Sequence, residues 1–246
     1  MKMNEHFNMN NKNIETRLEV KNESDKKAKL YLYGTIRQAY YWEDEDQTIS
    51  SNRVIKALSE IEGKDLDVHI NSPGGDVFES IAICNLLKQY DGNVDIYIDA
   101  MAGSGASVIA TAGENIYMYS NSMQMIHKAW TMTAGNADEL RKVATDLDKI
   151  DAAVESSYMS KFIGTQDELK DLLAAETYLT AEECITFGFA TKIIDNEKIA
   201  EPQNSVKNLF EKYKKNICTS NNEITEPKAE KESAFFNAFK KNTMEA

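Results

Sequence analysis

Residues 67–98 read DVHINSPGGDVFESIAICNLLKQYDGNVDIYI, and this stretch decides the fold. The apolar strand pattern of residues 67–70 leads through a turn at residues 71–75 into a helix pattern at residues 76–90. Residues 94–98 then form a second strand pattern. A strand, a helix and another strand in this order are typical of parallel pairing. The stretch therefore predicts a βαβ unit.

The same alternation of strand and helix patterns continues on both sides of this unit. Further strand patterns lie at residues 29–33, 116–118, 123–126 and 190–194, and helix patterns lie at residues 50–61, 102–112, 138–162 and 168–174 and from residue 179. We therefore predict an α/β fold of stacked βαβ units. The pattern at residues 138–162 would form a helix roughly 37 Å long. This length favours a projecting helix that packs against another subunit, and an ordinary core helix is the alternative.

The composition indicates a folded protein with a hydrophobic core. The chain has 246 residues with 28 Lys+Arg, 40 Asp+Glu and 42% hydrophobic residues. We expect an arm at residues 1–27, one domain at residues 28–195 and a polar, partly disordered tail at residues 196–246.

The net charge of −12 argues against nucleic acid and anionic membranes as partners. We find no transmembrane run and no secretory signal, so the cytoplasm is the expected location.

Two glycine-rich turns follow predicted strands. The first, NSPGG at residues 71–75, offers backbone N–H groups that could hold a negative oxygen, although a simple tight turn has the same sequence. The second, MAGSGASV at residues 101–108, places Ser104 and Ser107 at the start of a helix. It lacks the G-x-S-x-G pattern around Ser104. Close packing of the helix on the sheet is its alternative interpretation.

A serine nucleophile needs a base, and the chain has three histidines. His6 lies in the predicted arm, and His69 lies within a predicted strand. His127 ends a strand at the edge where sites of α/β folds collect, so elimination favours it as the base. The acid that would orient it stays open among Asp151, Asp167, Asp171, Glu176 and Asp195. The widely spaced cysteines Cys84, Cys184 and Cys218 indicate buried or incidental thiols, with no metal site.

Four motifs in order resemble the proteolytic subunit of the Clp protease. They are NSPGG (71–75), GSGAS (103–107), MIH (125–127) and YLTAEE (178–183) followed by Phe187-Gly188. The resemblance covers residues 28–195 and is closest to the ClpP-like proteases of tailed phages, which mature the prohead. It implies the ClpP/crotonase-like fold, with the long helix as a handle.

The resemblance also implies a site. Ser107 matches the nucleophile, His127 the base and Glu176 the acid, where the cellular enzymes carry Asp. Gly75 and Val108 match the residues whose amides form the oxyanion hole. The implied reaction is hydrolysis of peptide bonds through a Ser-His-acid triad, with no metal and no cofactor.

The implied assembly is a homo-oligomeric ring, either a heptamer or a double ring, that encloses its active sites. The buried stripe of the handle would comprise Leu140, Leu147, Ile150 and Val154. The partners would be unfolded polypeptides delivered by an AAA+ unfoldase, or scaffold and capsid proteins of a phage. The setting would be the cytoplasm of a bacterium or of a phage-infected host cell.

Three other functions fit parts of the sequence. A crotonase-type acyl-CoA enzyme shares the fold and the two-amide oxyanion hole, but it lacks a triad. A non-catalytic assembly subunit would need neither Ser107 nor His127. A serine-lysine protease could use Lys128 or Lys142, although His127 makes this variant less favourable.

Overall fold

The computed structural model describes residues 14–61, 63–195 and 206–221. The strands are β1 (Arg17–Asn22), β2 (Lys27–Ile36), β3 (Asp65–Gly75), β4 (Val94–Gly103), β5 (Asn115–Met118), β6 (Met123–Ile126), β7 (Thr177–Thr180) and β8 (Lys192–Ile193). The helices are α1 (Ser51–Ser59), α2 (Val77–Lys88), α3 (Gly105–Ala110), α4 (Ala137–Met159), α5 (Gln166–Ala174), α6 (Ala181–Phe187) and α7 (Val206–Asn221). A short 3-10 helix, Glu45–Gln47, precedes α1.

The eight strands form one sheet with mostly parallel pairing. Its main order is β1-β2-β3-β4-β5-β8, and β6 pairs with β4 and with β7. The pairs β1/β2 and β6/β7 are antiparallel, and the other pairs are parallel. Helices connect the parallel strands, as their geometry requires. The predicted α/β fold is confirmed.

One face of the central strands forms the core, because side chains alternate between the two faces of a strand. Leu30, Val68, Ile96 and Ile116 are fully or almost fully buried and lie in register across β2, β3, β4 and β5. Helix α2 packs against α1 and α3 and begins after Asp76, whose side chain accepts hydrogen bonds from the N–H groups of two residues in its first turn.

The opposite face of the same strands carries a row of stacked rings, which we call the aromatic ladder: Tyr31, His69, Tyr97 and Tyr117. Their ring centroids are 4.8 to 4.9 Å apart from one strand to the next. Each neighbouring pair is also a direct register pair of the sheet. The prediction that His69 is a sheet residue is confirmed, and its Nδ1 lies 3.0 Å from a carboxylate oxygen of Asp99.

The structured region begins before residue 28. Strand β1 lies within the predicted arm and pairs with β2, so the sheet extends into it. Helix α7 lies within the predicted polar tail. The chain divides into two compact units, Met1–Phe210 and Glu211–Ala246, and the site residues discussed below belong to the first. His6 lies outside the described residues.

Helix α4 is the longest described helix, with 23 residues. It begins at a capping box formed by Asn136 and Glu139, which satisfies N–H groups of its first turn. Leu140 is 44% exposed near its start, whereas Val154 and Tyr158 are buried near its end. The first half of the helix therefore projects from the subunit. Within the described ranges, no helix has the length and hydropathy to cross a bilayer.

Candidate active site

The site lies where β3 and β4 end and the chain turns into helices. Gly74 and Gly75 end β3, and both have positive φ, +93° and +151°. A Cβ on Gly74 would lie 2.8 Å from the Cβ of Ser104 and 2.4 Å from the carbonyl oxygen of Gly103. The NSPGG segment therefore packs its backbone directly against the loop that carries Ser104, which only glycine allows.

Ser104 occupies a strained position at the start of α3. Its φ of 51° and ψ of −122° lie outside the regions that serine ordinarily adopts. Its N–H donates to the carbonyl oxygen of Met125 at 2.8 Å, which ties the loop to β6. Strain of this kind costs about 1–3 kcal/mol and is found where function needs a fixed side-chain direction. Ser104 is also partly exposed.

His127 follows β6 and faces Ser104. Its Nε2 lies 2.7 Å from Oγ of Ser104, across 23 residues of sequence. This pair has the distance that proton transfer from a serine to an imidazole requires. The strand prediction for residues 123–126 is confirmed by β6, and it is this strand that delivers the histidine to the edge of the sheet.

Ser107 does not face His127, and this part of the sequence-based prediction is wrong. The Ser107 side chain is part of α3 and is 1% exposed. Its Oγ lies 2.6 Å from the carbonyl oxygen of Ser104, 3.0 Å from that of Met125 and 2.7 Å from the hydroxyl of Tyr158. Ser107 therefore contributes to the packing of the loop and not to its accessible surface.

The backbone N–H of Val108, which was predicted to bind the oxyanion, already donates a hydrogen bond within the protein. Its N–H donates to the carbonyl oxygen of Ser104 at 3.3 Å, as the first turn of α3 requires. The N–H of Gly105 is in a different position, because the first amides of a helix have no acceptor within that helix. A Cβ on Gly105 would be 3.7 Å from the nitrogen of Gly75, so these two backbones lie close together beside Ser104.

Burial keeps the imidazole of His127 uncharged, which is the form that can accept a proton. Burial lowers the pKa of His127 below its ordinary value of 6.5, and the negative charges of Glu176 and then Asp151 oppose this shift. Desolvation has this sign because it disfavours the cationic form. At neutral pH the ring is therefore uncharged and able to accept a proton.

Two carboxylates act on His127 from a distance. Glu176, at a φ of 50°, immediately precedes β7. Asp151 of α4 is buried, and its Oδ1 accepts the N–H of Ala129 at 2.7 Å. Of the two, Glu176 has the larger electrostatic effect on the imidazole. Among the described residues, no carboxylate forms an ion pair with His127.

The remaining acidic candidates have other contacts. Asp195 accepts hydrogen bonds from the backbone and side chain of Ser120, which follows β5. Asp167 lies in the first turn of α5, where the positive end of the helix favours a carboxylate. Asp171 belongs to the same helix and is exposed. The charges that raise the pKa of His127 are those of Glu176 and Asp151, and the three residues named here are not among them.

A cavity of about 290 Å³ adjoins the Ser104–His127 pair. Its apolar wall is formed by Val108 and by side chains of α4, namely Leu147, Ile150, Val154 and Tyr158. Phe78 and Trp130 also line it and are 64% and 72% exposed. The reactive pair therefore borders a space that can receive an apolar side chain.

Sequence reasoning missed Ser104, Gly105 and Tyr158. The available signal was the placement of Ser104 between Gly103 and Gly105, because a nucleophile at a sharp turn between strand and helix needs small neighbours. Tyr158 had no signal of its own, since it was one apolar position among several in α4. Cys84 and Cys184 are buried and unpaired, as expected.

The model of the Clp protease family matches residues 22–197, which include every site residue described above. Members of this family are peptidases, generally of the serine type, and they generally form oligomeric rings that act on polypeptides. The match spans more than half of the chain and agrees with the α/β sheet and its helices. The chain therefore belongs to the Clp protease family.

Proposed function

We propose that the protein is a serine endopeptidase in which Ser104 is the nucleophile and His127 the general base. The observation that carries this proposal is the 2.7 Å hydrogen bond between Nε2 of His127 and Oγ of Ser104. A serine becomes nucleophilic when an adjacent base accepts its proton. Ser107 has no such base, because its hydroxyl contacts two carbonyl oxygens and Tyr158.

The reaction proceeds through an acyl-enzyme. His127 takes the proton of Ser104 as Oγ attacks the peptide carbonyl carbon, and the imidazolium then gives that proton to the leaving amine. A water molecule loses a proton to His127 and attacks the ester. The acid product leaves, and the proton returns to Ser104.

The oxyanion hole consists of the amides of Gly75 and Gly105. Gly105 replaces Val108 in this role because it directly follows the nucleophile and its N–H has no acceptor within α3. The Gly75 backbone lies beside it. Each donor contributes about 3 kcal/mol to the stabilisation of the transition state.

Glu176 is the acid of the triad. The support is electrostatic and topological, because its charge has the larger effect on His127 and because β7 pairs with the strand that carries the histidine. Asp151 is less suitable, since its carboxylate already accepts the N–H of Ala129 and lies 3.8 Å from the ammonium of Lys128. Glu176 stabilises the imidazolium that forms during attack.

The assembly is a homo-oligomeric ring, and α4 is the handle that joins two rings. Leu140 is exposed in the single subunit and lies outside the cavity beside Ser104, and this supports its burial against a second subunit. The substrates are polypeptides, either unfolded chains delivered by an AAA+ unfoldase or scaffold and capsid proteins of a phage. The protein acts in the cytoplasm of a bacterium or of a phage-infected host cell.

A fluorophosphonate probe tests the nucleophile. We expect the label on Ser104 by peptide mass spectrometry, with loss of labelling in Ser104→Ala and His127→Ala. Ser160→Ala removes an exposed serine hydroxyl that does not line the cavity beside Ser104, and this variant should label normally. A label on Ser107, or no label on a folded oligomer, would overturn the proposal.

A further inference from the structure

The hydroxyl groups of Ser107 and Tyr158 form a buried pair next to the proposed nucleophile. Oγ of Ser107 lies 2.7 Å from the hydroxyl oxygen of Tyr158 and 2.6 Å from the carbonyl oxygen of Ser104. Both side chains are 1% exposed. The pair therefore makes its hydrogen bonds without competition from bulk water, and it joins α4 to α3.

The direction of these hydrogen bonds follows from the number of protons. Each hydroxyl carries one proton, and burial raises the pKa of Tyr158, so its phenol stays protonated. Tyr158 donates to Oγ of Ser107, and Ser107 donates to the nearer of its two carbonyl acceptors, that of Ser104 at 2.6 Å and not that of Met125 at 3.0 Å. The direct contact from Tyr158 to the carbonyl of Ser104 is longer, at 3.4 Å. Two hydroxyls in series polarise one another, which strengthens the final bond.

The accepting carbonyl belongs to the same peptide unit as the N–H of Gly105. A peptide is planar and trans, so its C=O and N–H point in opposite directions. A bond that holds the carbonyl of Ser104 consequently sets the direction of the Gly105 N–H. The peptide follows a residue with a φ of 51°, and such a conformation persists only where its surroundings enforce it.

We propose that Ser107 and Tyr158 are positioning residues that hold the peptide between Ser104 and Gly105 in the orientation that the oxyanion hole needs. This inference rests on the proposed function. Backbone amides of Ser107 and Val108 also bind the same carbonyl, at 3.0 and 3.3 Å, but these bonds are available to any helix start. The hydroxyl pair adds an anchor that comes from another helix, α4.

The test uses Ser107→Ala, Tyr158→Phe and the double variant of the full chain. Loss of a whole oxyanion donor lowers kcat about 100- to 1,000-fold. Loss of one anchor should reduce kcat for a short peptide substrate by about tenfold, while KM stays within about twofold, since the oxyanion exists only in the transition state. The double variant should be no slower than Ser107→Ala, because Tyr158 acts through Ser107.

Thr111→Val is the matched control. Thr111 is a buried hydroxyl at the end of α3 that donates to the carbonyl oxygen of Val108 and does not contact Ser104. We expect its kcat to be unchanged even where Tm falls. If Ser107→Ala does not fold, Tyr158→Phe carries the test, because it keeps the ring in the core.

The outcomes separate this inference from the proposed function. Unchanged kcat in Tyr158→Phe, or multiplied losses in the double variant, would overturn the positioning role. Activity or probe labelling that persists in Ser104→Ala would instead overturn the nucleophile, whatever the other variants show.

Discussion

Ile126 pairs with Thr177 at the end of the antiparallel ladder between β6 and β7. The next residue along β6 is His127, and the residue preceding Thr177 is Glu176. Strand pairing therefore brings base and carboxylate to the same end of the ladder, although 49 positions separate their numbers (176 − 127). The placement of Glu176 near His127 is consequently fixed by the backbone hydrogen bonds of the β6/β7 ladder.

The pH profile of kcat/KM should report His127. Since burial lowers its pKa below 6.5, we expect activity to rise with pH through a single midpoint below 6.5. Glu176→Gln removes the charge that raises this pKa, so the midpoint should shift to lower pH and kcat should fall by at least about tenfold. Glu182→Gln, an exposed carboxylate of α6, is the control. A midpoint above 6.5, or an unshifted profile in Glu176→Gln, would contradict the assignment.

Gly74→Ala should disrupt the loop that carries Ser104. The added methyl would overlap the carbonyl oxygen of Gly103 and approach Ser104, at a φ where side chains are already strained. We expect kcat to fall by about 100-fold, comparable with the loss of an oxyanion donor. Gly63→Ala is the matched control, because Gly63 also has positive φ but open space around it. It should cost only about 1–2 kcal/mol of stability and leave kcat unchanged. Equal effects of the two variants on kcat would refute the prediction.

Leu140→Asp should weaken the assembly. Leu140 is exposed on the projecting half of α4, outside the cavity beside Ser104, so a charge there should act on subunit contacts alone. We expect a smaller mass by light scattering, since a charge in an apolar interface is costly to desolvate. Ala152→Asp places the same charge on an exposed position about 120° around the helix from Leu140 and should preserve the mass. An unchanged mass in Leu140→Asp would exclude the handle interpretation.

The capping box of α6 should contribute measurably to stability. The hydroxyl of Thr180 accepts the N–H of Glu183 at 3.3 Å, and the Glu183 carboxylate accepts the N–H of Thr180 at 3.0 Å. Thr180→Ala should lower the free energy of unfolding by about 1 kcal/mol. Thr180→Ser keeps the hydroxyl and should retain most of that stability in chemical denaturation. Equal losses in both variants would show that the cap contributes little.

The sequence predicted the helix ends that depend only on residues close together in the chain. The cap at Thr180 and the end of α6 at Gly188, with its φ of +84°, were recognisable from residue type alone. Strands β1 and β7 were not recognised, because their burial comes from pairing with β2 and β6 and not from an apolar run of their own. Helix α7 was not recognised because its composition is that of a polar tail.

The choice between the two serines could not be made from spacing. Ser104 and Ser107 lie three residues apart in a segment of small residues, and both are compatible with the start of a helix. What separates them is the backbone of Ser104, whose positive φ turns its side chain toward His127, while Ser107 lies within α3. Such a backbone depends on the glycine contacts with β3, which are long-range and leave no periodic pattern.

The aromatic ladder across β2, β3, β4 and β5 also marks the alignment of these strands. Side chains alternate faces, so a slip of one residue would remove a ring from the row and place a core aliphatic such as Ile70 or Ile96 among the tyrosines. A misaligned strand would thus lose ring stacking on one face and core packing on the other at the same time. In a hairpin the turn sets the register of the two strands, but parallel strands have no such turn. In this sheet the row of stacked rings favours the correct register instead.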